Sequence, residues 1–327
     1  MRHPGFAEGV PAGGYAWWYV DALSDDGNRA LAAIFFIGSV FSPSYAAASR
    51  RGPAPAEDYL GVNLALYDRG RRVAWVMSEY PSPRLQASTE ALRIAGSSMS
   101  VEDGKLHLRL DERSAPWGLA LVGAGRRVDG EITIEPECEP VGGIELGAGS
   151  GHRWEVPIPR GRIQVRLKHP GFEFDGTAYH DTNRGVGRLE STLSRWSWAR
   201  FHSPSRLTVL YTTLDKAGQR CSVLVDAKDG DPALKRAPVL VPDGPIGELT
   251  RPGWGLELPS GFSVDEGRVG CDVEQCLEVA PFYARYLARL RGAGPGAGLG
   301  LGEHLDLDRF SRRGLQFLLR FMTRRSR

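Results

Sequence analysis

Short runs rich in Val, Ile, Leu, Tyr, Phe and Trp recur along the chain between clusters of Gly, Pro, Asp and Ser: YAWWYVD, LAAIFFIGSVF, VNLALYD, RVAWVM, KLHLRLD, EITIE, RIQVRLKH, RWSWARF, LTVLYTTL and RCSVLVD. Runs of this length and make-up read as strands bounded by turns, and a chain made of them must bury its apolar sheet faces against one another. In RIQVRLKH the alternation is clean. Ile163, Val165 and Leu167 take one side, and Arg162, Gln164, Arg166 and Lys168 the other, as in a strand with one wet face. Helical periodicity is scarce before the C-terminus, so the expected fold class is all-β. With 327 residues, 42% of them hydrophobic, there is chain enough for two β domains of modest size.

Glycine and serine crowd into VGGIELGAGSGHR, residues 141–153, which places the expected domains at 1–147 and 148–290, the second carrying the candidate acid Asp181. The Pro-rich SRRGPAPAEDY, 49–59, reads as a long loop. RGAGPGAGLGLGEH, 291–304, is low-complexity glycine and opens a third segment, 291–327, as a flexible tether. From Asp306 the chain sets Phe310, Leu318, Phe321 and Met322 against Arg312, Arg313, Arg320, Arg324 and Arg325. Two readings of this short helical tail stay open: it lies at an anionic lipid surface, or it packs on the body of the protein with its arginines solvated.

The opening MRHPGFAEGVPAGGYAWWYVD has no apolar run long enough for a signal peptide, and no 18-residue apolar stretch occurs anywhere, so a cytoplasmic protein that does not span a membrane is expected. Forty-one Lys plus Arg against 39 Asp plus Glu give a formal charge of +2, which supplies no electrostatic argument for nucleic acid. Cysteines 138, 221, 271 and 276 form no C-x-x-C pair and are expected to be buried small hydrophobes in a reducing compartment.

The stretch GTAYHDTNRG, 176–185, carries chemistry. On a strand Tyr179, Asp181 and Asn183 face one way and His180 the other, so an apolar interior on that side would hold a carboxyl group where carboxyl groups are costly. In GHRWEV, His152 and Trp154 are again two apart, and the two pairs are expected to meet across a sheet or barrel interior. SRWSWARFH offers Trp196, Trp198 and Arg200 on one face, an aromatic wall suited to a long apolar ligand. GGYAWWYVD sets Tyr15, Trp17, Tyr19 and Asp21 on one face and Trp18 on the other. The dinucleotide, phosphate-loop, nucleophile-elbow and H-E-x-x-H motifs are all missing, and His169, His180 and Asp181 fit no known ligand spacing, so no metal is expected.

GGYAWWYVDALSDDG, FIGSVFSPSYA, VNLALYD, GHRWEVPIPR, YHDTNRG, SRWSWARFH, APFYARYL and LDLDRF, in that order from about residue 11 to about residue 310, resemble the carotenoid 1,2-hydratases, also called hydroxyneurosporene synthases. The resemblance implies two lipocalin-like β-barrel domains, a cofactor-free reaction, and as partners water and an acyclic carotenoid of the neurosporene or lycopene type drawn from a membrane. It implies a location at the surface of the inner or photosynthetic membrane, and water added across the terminal C1–C2 double bond. It assigns the functional histidine, tryptophan, tyrosine and aspartate to His152, Trp154, Tyr179 and Asp181, with Asp181 expected as the proton donor. Trp17, Tyr19, Trp196, Trp198 and Asn183 are expected to bind substrate. Arg184 departs from the pattern, standing where an aromatic residue is expected in many relatives. A lipid or pigment carrier and a polyene cyclase of the same superfamily remain as alternatives.

Overall fold

Alternating side chains can bury one face of a strand and wet the other, or bury both, and this chain does each in different places. The computed structural model describes residues 5–115, 125–147, 149, 151–203, 206–228, 239–241, 249–264, 269–292, 298–320 and 322–325. These fall into two units. The first comprises Met1–Cys138, Pro157–Arg188 and Gln316–Arg327, and the second Glu139–Val156 and Leu189–Leu315. The division therefore does not follow a single cut after residue 147, and residue 148 itself lies outside the described residues.

The first twelve strands in chain order are β1 (Tyr15–Ser24), β2 (Arg29–Ile37), β3 (Leu60–Asp68), β4 (Arg71–Tyr80), β5 (Leu85–Ala87), β6 (Ala91–Ile94), β7 (Ser97–Glu102), β8 (Lys105–Arg113), β9 (Arg127–Pro136), β10 (Val141–Glu145), β11 (His152–His169) and β12 (Phe172–Gly185). In the first unit they run side by side as β4-β3-β2-β1-β12-β11-β9-β8-β7-β6-β5, and residues of β4 return to touch β8, so the sheet curls. One face of the curl holds a continuous core from Ala16, Trp18 and Val20 through Phe35, Val62 and Leu64 to Leu108, Ile132, Ile163 and Val165. The predicted wet face of RIQVRLKH is there too, with Arg162, Gln164, Arg166 and Lys168 exposed and Ile163, Val165 and Leu167 buried.

The second unit is built on β13 (Leu193–Ser203), β14 (Arg206–Asp215), β15 (Arg220–Lys228), β16 (Val239–Val241), β17 (Leu249–Thr250), β18 (Leu258–Pro259), β19 (Gly261–Val264), β20 (Val269–Val279), β21 (Tyr283–Leu290) and β22 (Leu299–Asp306). Its main sheet is 8-stranded in the order β16-β15-β14-β13-β22-β21-β20-β19, and β19 touches β14 and β15 as the sheet curls. Its core gathers Ala199, Phe201, Leu210, Phe262, Tyr286 and Ala288 on one face. The all-β class and the two barrel-like domains are thus as expected.

The tether reading of 291–304 is overturned where it can be checked. Residues 293–297 lie outside the described residues, but β22 is a buried strand with partners on both sides, β13 and β21. Its leucines and glycines have different tasks: Leu301 and Leu305 are fully buried, while Gly300 and Gly302 leave room for the Arg200 carbonyl and the Tyr286 ring. Glycine content reads as flexibility only when the neighbouring chains are unknown.

The tail is not one helix from Asp306. That residue ends β22, and its side chain accepts from the Arg309 N–H as the cap of a short helix, Leu307–Phe310, followed by a second, Arg313–Leu319. Phe310 is buried, edge to face with Phe282 at 5.0 Å. Gln316 is also buried and accepts a hydrogen bond from Arg50 at 2.6 Å. β23 (Arg324–Arg325) then pairs in parallel with β4. Phe317, Leu318, Arg320, Met322, Arg324 and Arg325 are exposed, and Phe321 lies outside the described residues. Of the four cysteines only Cys271 is fully buried; Cys138, Cys221 and Cys276 are half-buried and all are free thiols.

Candidate functional site

The chemistry-bearing residues fall into two clusters, one in each unit. In the first unit β1 pairs with β12 so that Trp17 lies opposite Asn183, Tyr19 opposite Asp181 and Asp21 opposite Tyr179. Directly opposed residues of antiparallel strands share a face, and here that face also takes in Ile34 and Phe36 of β2. It is the reverse of the face that carries the core of this unit, since Trp18, Val20 and Ala178 belong to the core. The expectation that Asp181 looks into the barrel interior is corrected: the interior side of β12 at this point belongs to His180. The burial expected of Asp181 nevertheless holds, with 5% exposure for Asp181, 0% for Tyr179 and 3% for Asn183.

Asp181 is held between its strand neighbours. The Tyr179 hydroxyl donates to Oδ2 at 2.9 Å, and the Asn183 amide Nδ2 donates to Oδ1 at 2.9 Å. A pleated strand brings i and i+2 side chains to this separation without a turn or a helix. Tyr19 meets Tyr179 edge to face, with centroids 6.4 Å apart, and Trp17 stacks on Tyr15 at 5.2 Å. The pattern Tyr-x-Asp thus occurs twice, at 19–21 and 179–181, and the antiparallel register sets each tyrosine opposite the other copy's aspartate. Asp21 is fully buried. It was visible in the sequence as sharing the face of Tyr19, but only the pairing of β1 with β12 puts it beside Tyr179.

Arg184, the departure from the pattern, does not belong to this face. It pairs with Ala16, lies with its guanidinium 5.4 Å from the Trp18 ring centre, donates to the Gly5 carbonyl and pairs with Glu8 at 3.4 Å. Its charge is taken up on the core side of the strand.

His180 is fully buried, with Nδ1 2.8 Å from the Tyr19 carbonyl oxygen, and burial pushes its pKa down to about 4. An unfolded chain would protonate this histidine below pH about 6.5, whereas the folded one resists until about 4. The stability gained from keeping it neutral is therefore whole above pH about 6.5 and is lost as the pH falls toward 4, a span of about 3 kcal/mol. Buried Glu79 and Glu112, whose pKa values burial raises, work in the opposite sense as the pH falls, so a difference measurement is needed. In urea unfolding, the stability gap between the parent protein and His180→Asn is expected to narrow by about 3 kcal/mol from pH 7 to pH 4.

In the second unit the cluster is aromatic. His152 and Trp154 are both fully buried at the start of β11. The His152 ring stacks on Trp196 at 6.2 Å, Trp154 meets Tyr211 edge to face at 5.4 Å, and Trp196 meets Tyr211 at 6.2 Å. Trp198 lies on the same face as Trp196, opposite Tyr211 on β14 and Glu303 on β22. Glu303 in turn accepts from Arg285 Nε at 3.0 Å and Nη2 at 2.8 Å, which neutralises a charge that burial makes costly. Here too the face is the reverse of the core, which holds Ala199 and Phe201. Tyr211, which joins Trp154 to Trp196, was missed in the sequence because LTVLYTTL reads as an ordinary core strand.

Each predicted pair is thus intact within its own unit: Tyr179 with Asp181, and His152 with Trp154 in one aromatic cluster. Asn183, Trp17 and Tyr19 join the first group, Trp196 and Trp198 the second. His169 is elsewhere, with Nδ1 2.6 Å from Asp129 Oδ1, and among the described residues no three His, Cys, Asp or Glu side chains gather as a metal-ligand set.

Residues 33–327 match the family model described as carotenoid hydratase CrtC. The chain is 33% identical over 324 residues to an acyclic carotenoid 1,2-hydratase of Thiocapsa roseopersicina, covering 98% of this chain and 75% of that one. It is 36% identical over 296 residues to the acyclic carotenoid 1,2-hydratase of Rubrivivax gelatinosus, covering 88% and 67%. Among solved structures, an AttH protein of Nitrosomonas europaea superposes with a TM-score of 0.61 at 15% identity, covering 89% of this chain and 91% of that one. Kievitone hydratase of Nectria haematococca superposes with a TM-score of 0.51 at 12% identity, covering 94% of each, a likeness of fold.

Proposed function

Because the chain belongs to the carotenoid hydratase family, we propose that it adds water across the terminal C1–C2 double bond of an acyclic carotenoid to give a tertiary alcohol. The observation that carries the chemical part is the buried Tyr179–Asp181–Asn183 group. An unactivated alkene is not attacked by water until it has been protonated. Asp181, in its neutral form, delivers that proton to C2 and leaves a tertiary cation at C1, which water captures. An aspartic acid in water, pKa about 3.9, is neutral about once in a thousand molecules at pH 7, a cost of about 4 kcal/mol. Taking a carboxyl group out of water favours its neutral form, as does a second carboxyl group beside it. Asp21, opposite Tyr179 and so diagonal to Asp181, adds a second buried carboxyl group to the same face.

The electron-rich ring of Tyr179 stabilises positive charge where it develops. The 2.9 Å contact between Tyr179 Oη and Asp181 Oδ2 suits a hydrogen bond in either direction, hydroxyl to carboxylate or acid to hydroxyl. Trp154 is proposed as a second cation-stabilising ring, and His152 as the group that orients the acid or takes the water's proton. Trp17, Tyr19, Trp196 and Trp198 are proposed to hold the hydrocarbon. The test is incubation of the purified protein with lycopene or neurosporene, with the products weighed by mass spectrometry. A product heavier by one water is expected. Unchanged pigment would mean a carrier, and an isomer of unchanged mass a cyclase.

We also propose that the protein meets its lipid-dissolved substrate at a membrane surface. The support is the C-terminal patch of exposed Phe317, Leu318 and Met322 with exposed Arg320, Arg324 and Arg325. Among the described residues no helix is long and apolar enough to cross a bilayer. Sedimentation with vesicles rich in phosphatidylglycerol is expected to fall about tenfold in the double variant Phe317→Ser, Leu318→Ser, and to weaken with salt. Equal sedimentation of parent and variant would remove this patch as the anchor.

A further inference from the structure

We infer that Asn183 holds the water that captures the cation, and that Asp181 takes that water's proton back. The inference rests on the proposed hydration. Asn183 follows Asp181 by two residues on β12 and shares its face, opposite Trp17. It is 3% exposed. Its amide nitrogen is used, donating to Asp181 Oδ1 at 2.9 Å, but its carbonyl oxygen, Oδ1, is buried and accepts no hydrogen bond from any described residue. A buried acceptor with no donor is costly, and a water molecule is the smallest group that removes the cost.

A water donating one hydrogen to Asn183 Oδ1 sits next to the carboxyl group to which the same amide is bonded. Its other hydrogen then has Asp181 within reach and its lone pair is left for carbon. The step balances. The Asp181 O–H bond breaks as the C2–H bond forms from the π pair, the water oxygen bonds to C1, and one water O–H bond breaks with its proton going to the carboxylate that the first transfer produced. The elements of water are added, Asp181 ends as it began, and of the two roles proposed for His152 only that of orienting the acid is then needed.

The competing role for Asn183 is alignment of Asp181 through the amide nitrogen alone. The two roles separate in the fate of the cation. Without a held water, a cation formed in D2O returns to alkene, and a deuteron delivered to C2 stays in part of the recovered carotenoid. Asn183→Val and Asn183→Thr have nearly the same shape, both suit a strand, and only threonine keeps an oxygen that can hold water. Each is incubated with lycopene in D2O, and hydrated product and deuterium in recovered lycopene are measured together. The expected result for Asn183→Val is at least a tenfold fall in hydration relative to deuterium uptake, with part of the loss restored in Asn183→Thr. A ratio equal to that of the parent in both variants, whether the two rates fall together or neither falls, overturns the inference. Failure of the parent protein itself to hydrate lycopene or neurosporene would instead remove the proposed function.

Discussion

Asp181→Asn is expected to lower hydration of a linear carotene by three orders of magnitude or more while leaving the fold intact. General acid catalysis by a placed side chain contributes about 10²–10⁴. The upper end applies here because the alkene reacts with nothing until the proton arrives. Asparagine has the shape of aspartate, and its oxygen can keep one of the two neighbouring donors, Tyr179 Oη or Asn183 Nδ2, so packing is preserved. What it lacks is a transferable proton. Turnover of the purified variant, with its thermal unfolding measured alongside, checks the expectation. Near-normal turnover in a folded variant would show that the proton comes from elsewhere, and the role proposed for Asp181 would fall.

Gly300→Ala is expected to destabilise the second unit by more than about 3 kcal/mol, enough to reduce soluble yield or lower the melting temperature sharply. β22 is hydrogen-bonded on both sides, and a Cβ at residue 300 would lie 2.0 Å from the Arg200 carbonyl oxygen and 2.5 Å from the Phe201 ring. A backbone oxygen in the middle of a sheet cannot swing away as a side chain can. Either the β13–β22 pairing opens or the sheet bends. Gly314→Ala is the control: nothing lies within 4 Å of its added Cβ, and alanine suits a helix better than glycine, so stability is expected to hold or rise slightly. Were 291–304 a tether, both changes would pass unnoticed.

That contrast marks what a single sequence can reveal. Period-two alternation is local, and it placed the strand faces correctly, from Ile163 and Val165 to Tyr179 and Asp181. Which strand lies beside which is not local. The pairing of β1 with β12 joins residues some 160 positions apart, and it alone brings Asp21 to Tyr179 and Tyr19 to Asp181. For the same reason the glycines of β22 read as slack when they are clearances for Arg200 and Tyr286. The reach of His152 and Trp154 was legible only as a pair; their companions Trp196 and Tyr211 come from strands whose order no spacing rule discloses. Asp181 was expected in the second domain, 148–290, on an inward face; the pairing of β12 with β1 puts it in the first unit on the reverse of the core, and a run buried on both faces loses the polarity contrast that tells inside from outside.

Trp18 and Trp17 are chain neighbours that answer to different demands, as are His180 and Asp181. A stepwise change of substrate during evolution can therefore proceed along β1 and β12 by altering every second position, while the intervening positions keep the domain folded. Two adjacent residues on these strands would drift at independent rates: one is tested by what the protein makes, the other by whether there is a protein at all.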